Sequence, residues 1–156
     1  MTGGRVRDVM LRSPVVLTGA ATVADVRDVL TRTHVHLVLL TPTGAMGEHL
    51  LGTLARADVA TADPAHHARQ HSRLVDRTVG ADLPAEDVRL ALLATGRRRA
   101  AVVDEHGRLL GLLCLKRRGN GFCTDAGVAS RRAARRSEAV RRASGGTSDP
   151  TTMVEG

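Results

Sequence analysis

Aromatic side chains are almost absent from this chain of 156 residues, which has no Trp, no Tyr and Phe122 as its single Phe. Any core must therefore be built from Val, Leu and Ala, and no aromatic platform is available for stacking bases or sugars. Cysteine is nearly as scarce. Cys114 and Cys123 are too few for a disulfide framework or a zinc knuckle, and Cys114 lies in an apolar run that reads as core. No stretch approaches the roughly 20 apolar residues of a membrane helix. The first residues carry Arg5, Arg7 and Asp8 where a secretory signal would be apolar, so a cytoplasmic protein is expected. Also missing are a Ser/His/Asp frame, a glycine-rich phosphate loop and paired carboxylates in a predicted cleft, and the expectation is a module that does not catalyse a reaction.

The charge that is present is unevenly placed. The chain carries a formal +7, and residues 116–142 hold nine basic side chains against Asp125 and Glu138, while the remainder balances. The positive field belongs to the C-terminal segment.

Two segments of the chain run in parallel. The first reads Ala24-Asp25-Val26-Arg27-Asp28-Val29-Leu30, then His36-Leu37-Val38-Leu39-Leu40, Gly44 and Leu50-Leu51-Gly52. The second reads Glu86-Asp87-Val88-Arg89-Leu90-Ala91-Leu92, then Arg99-Ala100-Ala101-Val102-Val103, Gly107 and Leu109-Leu110-Gly111. Spacings differ chiefly in the turn after the second block, where loops tolerate insertion.

Each copy has the periodicity of a helix followed by a hairpin. Thr22 is the N-cap candidate of a helix over residues 22–33, with Asp25 three residues on. In the second copy Asp82 and Pro84 give the start, Val88, Leu92 and Leu93 the buried stripe, and Gly96 the stop. The runs Leu37–Leu40 and Ala100–Val103 suit strands buried on both faces, with return strands near Leu50–Leu54 and Leu109–Leu113. A short extended piece precedes each helix, Pro14–Thr18 and Leu74–Val79. The fold class is α/β of the α+β type. Boundaries fall at 1–62 for the first copy, 63–73 for a connection, 74–123 for a second copy with a degenerate end, 124–143 for an Arg-rich helix and 144–156 for a disordered tail.

These residues resemble the cystathionine-β-synthase-type, or CBS, domain pair. Val6-Arg7-Asp8-Val9-Met10 is similar to that family's lead-in helix, Ser13-Pro14-Val15-Val16 to its first strand, and Ala21-Thr22-Val23-Ala24-Asp25-Val26 to the start of its first helix. Val102-Val103-Asp104-Glu105-His106-Gly107-Arg108-Leu109-Leu110-Gly111 is similar to its hairpin. The resemblance implies two pseudo-twofold-related half-domains with two clefts, which in many members bind adenine nucleotides or adenosyl compounds, and a homodimer formed through the helices.

The family's ribose-binding signature places a Gly, a Ser or Thr three residues on, and an Asp three residues beyond that. By this resemblance Gly52-Thr53-Leu54-Ala55-Arg56-Ala57-Asp58 puts Asp58 at the carboxylate position and Ala55 at the hydroxyl position. In the second copy Gly111-Leu112-Leu113-Cys114-Leu115-Lys116-Arg117 replaces both functional positions. The resemblance also places His36, Arg98 and Arg99 near phosphates, and Val16, Leu17 and Leu37 beside a base. Guanidinium forks suit phosphate oxygens.

Each candidate also has an ordinary explanation. Asp58 is equally a helix-terminal carboxylate, and Arg97–Arg99 a solvated loop. His67 and His71 have helical i, i+4 spacing, but without further ligands nearby they read as a surface pair, and no metal or required cofactor is expected. On the Arg-rich helix Arg131, Arg132, Arg135, Arg136 and Arg142 gather on one side above a thin apolar stripe, which excludes membrane insertion. The expected activity is sensing of a small ligand, such as an adenine nucleotide or adenosyl compound, in the cleft between the two repeats. The alternatives are a protein-interaction module with degenerate pockets and an unknown partner, or nucleic-acid binding through the Arg-rich helix.

Overall fold

The computed structural model describes residues 4–33 and 35–124, all within one unit, Met1–Asp125. The Arg-rich helix expected over 124–143 and the tail 144–156 lie outside the described residues.

The first copy comprises β1 (Val16–Thr18), α2 (Val23–Arg32), β2 (Val38–Thr41), β3 (Gly52–Leu54) and α3 (Arg56–Val59), and a short helix α1 (Val6–Val9) precedes it. The second comprises β4 (Thr78–Gly80), α4 (Ala85–Thr95), β5 (Arg99–Val103) and β6 (Leu109–Cys114), and a 3-10 turn at Ala68–His71 lies between the copies. The three-stranded sheets have the same order and sense: β1-β2-β3 and β4-β5-β6, with the first pair parallel and the second antiparallel.

Local chemistry explains the elements. Thr22 caps α2 reciprocally with Asp25: Asp25 N donates to Thr22 Oγ1 at 3.2 Å and Thr22 N to the Asp25 carboxylate at 2.9 Å. Val23, Val26 and Leu30 form the buried face of α2, packed with Val38, Leu40, Leu54 and Val59. In α4 the buried stripe is Ala85, Val88 and Leu92, and Gly96 at φ 71° ends the helix. Leu93, expected in that stripe, is 45% exposed, and its side chain lies over Gly119, where an added Cβ would run into it. Asp82 does not cap α4. Its carboxylate accepts from Arg7 Nε at 2.9 Å and sits 2.8 Å from Arg7 Nη2, because the N-terminal segment docks there.

That docking is half of an exchange. Leu11 and Leu112 trade backbone hydrogen bonds of 2.7 and 3.0 Å, and Val6 is fully buried in the second core beside Val88, Val102 and Leu113. Reciprocally, Arg73 and Thr53 trade bonds of 2.9 and 3.0 Å, and Ala68 is buried in the first core. Each lead-in therefore completes the other copy's sheet. The repeated glycines are the crossing points. A Cβ on Gly111 would meet the Leu11 carbonyl oxygen at 2.6 Å, and one on Gly52 would overlap Ser72.

The turn insertion in the first copy has a job as well. Gly47 N donates to Leu109 O and Leu109 N to Glu48 O, both at 2.8 Å, so the longer loop bridges the two hairpins. The expected extended piece Leu74–Val79 begins instead with a turn, in which Arg77 N donates to Leu74 O at 3.0 Å and Asp76 takes φ 64°. Only Thr78–Gly80 is strand.

Candidate functional site

Asp58 lies in the first turn of the four-residue helix α3, directly after β3. Its Oδ2 accepts from the Ala55 backbone N–H at 2.7 Å, which satisfies one of the donors a helix start leaves open. The same carboxylate takes both arms of a guanidinium. Arg77 Nη1 reaches Oδ2 at 2.9 Å and Arg77 Nη2 reaches Oδ1 at 3.3 Å, with side-chain exposures of only 19% for Arg77 and 8% for Asp58. Arg77 Nη1 also lies 3.3 Å from Thr53 Oγ1, whose hydroxyl donates to Arg73 O at 2.6 Å. The carboxylate from one copy and the cation from the other thus meet between the sheets' adjoining ends.

Arg77 carries no motif, and sequence reasoning missed it. Strand register places it opposite in role to Val15: Thr78 pairs with Ala101 as Val16 pairs with Leu39. The one available signal is an Asp76-Arg77 charged pair interrupting the stretch Leu74–Val79. Its position is set by the turn before it, where Arg97 Nη1 donates to Asp76 O at 2.7 Å and Arg97 Nη2 lies 3.5 Å from the Asp76 carboxylate.

The other predicted residues occupy separate elements. Val16 and Leu17 are half-buried on β1, Leu37 is 3% exposed just before β2, and His36 beside it is exposed. Arg98 Nε donates to Leu115 O at 3.3 Å, along the edge of β6. Arg99 opens β5 opposite Cys114, and its pKa is lowered, first by burial and also by the like charge of Arg98. The cation brought to Asp58 is therefore Arg77, while Arg97 positions its turn and Arg98 and Arg99 engage the second sheet. A shallow groove of about 410 Å³ opens elsewhere, between the end of β1 and α2, lined by Leu17, Thr18, Asp25, Asp28 and Arg32 among others. It shares only Leu17 with the predicted set, and Arg32 is already paired with Asp28 at 2.6 Å, so its charge balance does not suit phosphate.

In the second copy the equivalent position is Arg117, which is exposed, and among the described residues no helix follows β6. The chain instead turns back on itself: Lys116 N donates to Gly121 O at 2.8 Å and Cys123 N to Cys114 O at 2.7 Å. Arg89 closes the place against this hairpin, donating to Gly119 O at 2.8 Å while paired with Glu86. The histidines also differ from expectation. His66 Nδ1 lies 3.2 Å from His71 Nε2 with the rings stacked, because a 3-10 turn replaces the expected α-helical spacing, and His67 bridges to Thr22. Among the described residues no three His, Cys, Asp or Glu side chains are grouped to hold a metal ion, and no helix is long and apolar enough to cross a membrane.

A sequence model of the CBS domain matches the chain twice, at residues 6–65 and 72–117. No curated protein matches. Among solved structures, the chain is similar to the cytosolic domain of the Mg2+ channel MgtE in complex with ATP, at 24% identity and a TM-score of 0.56, over 68% of this chain and 44% of that one. It is also similar to a CBS domain protein from Pyrobaculum aerophilum complexed with AMP, at 22% identity and a TM-score of 0.61, over 84% of this chain and 99% of that one. A third is the CBS pair domain of a putative Mg2+ transporter from Shewanella oneidensis MR-1, at 17% identity and a TM-score of 0.64, over 84% and 72%. The chain thus spans less than half of the MgtE domain and nearly all of the Pyrobaculum protein. With two family matches that together cover more than half its length, and with paired sheets of one topology, the chain belongs to the CBS domain family as a tandem pair.

Proposed function

We propose that this CBS pair is a regulatory, non-catalytic module of the cytoplasm that senses an adenine nucleotide at Asp58. The observation that carries the reading is the Asp58–Arg77 pair, a carboxylate suited to a ribose diol beside a guanidinium suited to phosphate, contributed by different copies. The AMP and ATP complexes of the similar folds support the ligand class. On binding, the ribose hydroxyls take the Asp58 oxygens and the freed Arg77 turns to the phosphates. Val16 and Leu17 then flank the base over Leu37, with His36, Arg98 and Arg99 as outer phosphate contacts. A ligand that favours one arrangement of the two copies, or of a homodimer, shifts that population by its differential affinity. The repeats are taken as 1–62 and 74–123, joined by 63–73.

Calorimetric titration of adenosine, AMP and ATP into the parent chain, Asp58→Asn and Arg77→Ala tests this. AMP or ATP should bind the parent, Asp58→Asn should abolish binding, and Arg77→Ala should remove the preference for phosphorylated ligands over adenosine. If no ligand binds the parent, or Asp58→Asn leaves the affinity intact, the sensor reading fails. A second reading, an interaction module whose pockets have closed, is favoured by one observation: both Asp58 oxygens are already engaged within the chain.

A further inference from the structure

The hairpin after β6 brings the chain's only two cysteines together. Leu115 is bridged to Phe122, with Lys116 N donating to Gly121 O and Cys123 N to Cys114 O. In this register Cys123 lies directly across from Cys114. Residues paired in this way have Cα atoms on the order of 5.5 Å apart, inside the window a disulfide requires. Both cysteines are 7% exposed, and both are reduced. Arg99 on β5 is the register partner of Cys114 across the other side of β6.

We propose that Cys114 and Cys123 form a reversible intramolecular disulfide, a redox-sensitive clamp on the hairpin that follows β6 in the second repeat. The oxidant is a low-molecular-weight disulfide. One thiolate attacks it, forming a mixed disulfide and releasing one small thiol. The second thiolate then attacks the mixed disulfide, closing the Cys114–Cys123 bond and releasing the other. Both cysteine protons leave, and the two electrons end on the two released thiols. In a reducing compartment the link opens again by the reverse exchange. The clamp ties β6 to the return strand and fixes the surroundings of Arg99. Burial pushes the Cys114 thiol up to about 11, with Cys123 adding to the effect. Thiolate supply at Cys114 therefore grows by roughly tenfold per pH unit below that value.

The test uses the full chain treated with excess oxidised glutathione at alkaline pH, quenched with acid and analysed by intact mass and by trypsin digestion without reductant. Trypsin cuts after Lys116, Arg117 and Arg118 and so separates the two cysteines unless they are bonded. The proposal expects a monomer lighter by two hydrogens, tryptic peptides joined through Cys114 and Cys123, restoration by dithiothreitol and a raised unfolding midpoint for the oxidised form. It is overturned by a stable glutathione adduct, by disulfide-linked dimers in place of the internal bond, or by thiols that stay reduced.

Discussion

The two copies agree in strand order, sense and register as far as the third strand, and part immediately after it. In the first copy the chain leaves β3 into α3, whose opening turn holds Asp58 against Ala55 N and Arg77. In the second it leaves β6 into a hairpin that crosses back over Arg89, and Arg117 stands exposed where the carboxylate would be. The shared part is what the core requires, since both sheets must bury one apolar face and accept the other copy's lead-in. The divergent part is what the site requires. The first copy's Asp58 is held in a charged pair with Arg77 of the second, and the second copy's counterpart location is closed by a hairpin and Arg89.

The largest expected effects test whether the copies are energetic equals. Leu54→Ala and Leu113→Ala each remove a fully buried side chain from its copy's core, and each should cost about 2–5 kcal/mol in a single unfolding transition. Two separate transitions in thermal or urea unfolding would break the picture of exchanged lead-ins. Next, Asp58→Ala leaves the largely buried Arg77 guanidinium unpaired and should cost about 2–3 kcal/mol, and the double variant with Arg77→Ala should cost less than the sum of the singles. Arg117→Ala, its counterpart, should stay within about 0.5 kcal/mol of the parent.

The glycines give a smaller and more selective comparison. Gly52→Ala and Gly111→Ala should each cost about 1–3 kcal/mol through overpacking. Ser72→Gly should rescue Gly52→Ala, because the obstruction there is a side chain, while no side-chain substitution should rescue Gly111→Ala, where it is the Leu11 backbone. A further contrast is in alkali. Cys114 has its folded pKa raised from 9.0 to about 11, so its neutral form contributes stability that is complete below the unfolded value and is lost as pH rises through about 11. An equilibrium unfolding series across that range should decline in the parent and flatten in Cys114→Ala. The first copy has no cysteine to contribute.

Much of this division was legible in the residues. The capping pair Thr22 and Asp25, the apolar runs that became β2 and β5, and Gly96 announce themselves through local chemistry, and Gly52 and Gly111 marked equivalent points. The reason for those glycines was not legible, because it depends on lead-ins exchanged across a long stretch of chain. Arg77 was hidden for a similar reason. Leu74 and Val75 suggest a strand, yet they are 42% and 73% exposed, and the turn at Asp76 that delivers Arg77 to Asp58 is held by Arg97 from the far side of α4. The cysteine pair depended on the register of one short hairpin, which a Gly119-Asn120-Gly121 turn signal alone does not specify.

Thermal unfolding with AMP, ADP, ATP and S-adenosylmethionine, in the parent and in Asp58→Asn, tests the account's central claim most directly. A ligand at about 100 times its dissociation constant adds roughly 2.7 kcal/mol to the folded state. The account predicts that at least one adenine nucleotide raises the parent's midpoint and leaves that of Asp58→Asn unchanged. Equal shifts in both proteins, or none in the parent at millimolar ligand, would contradict it.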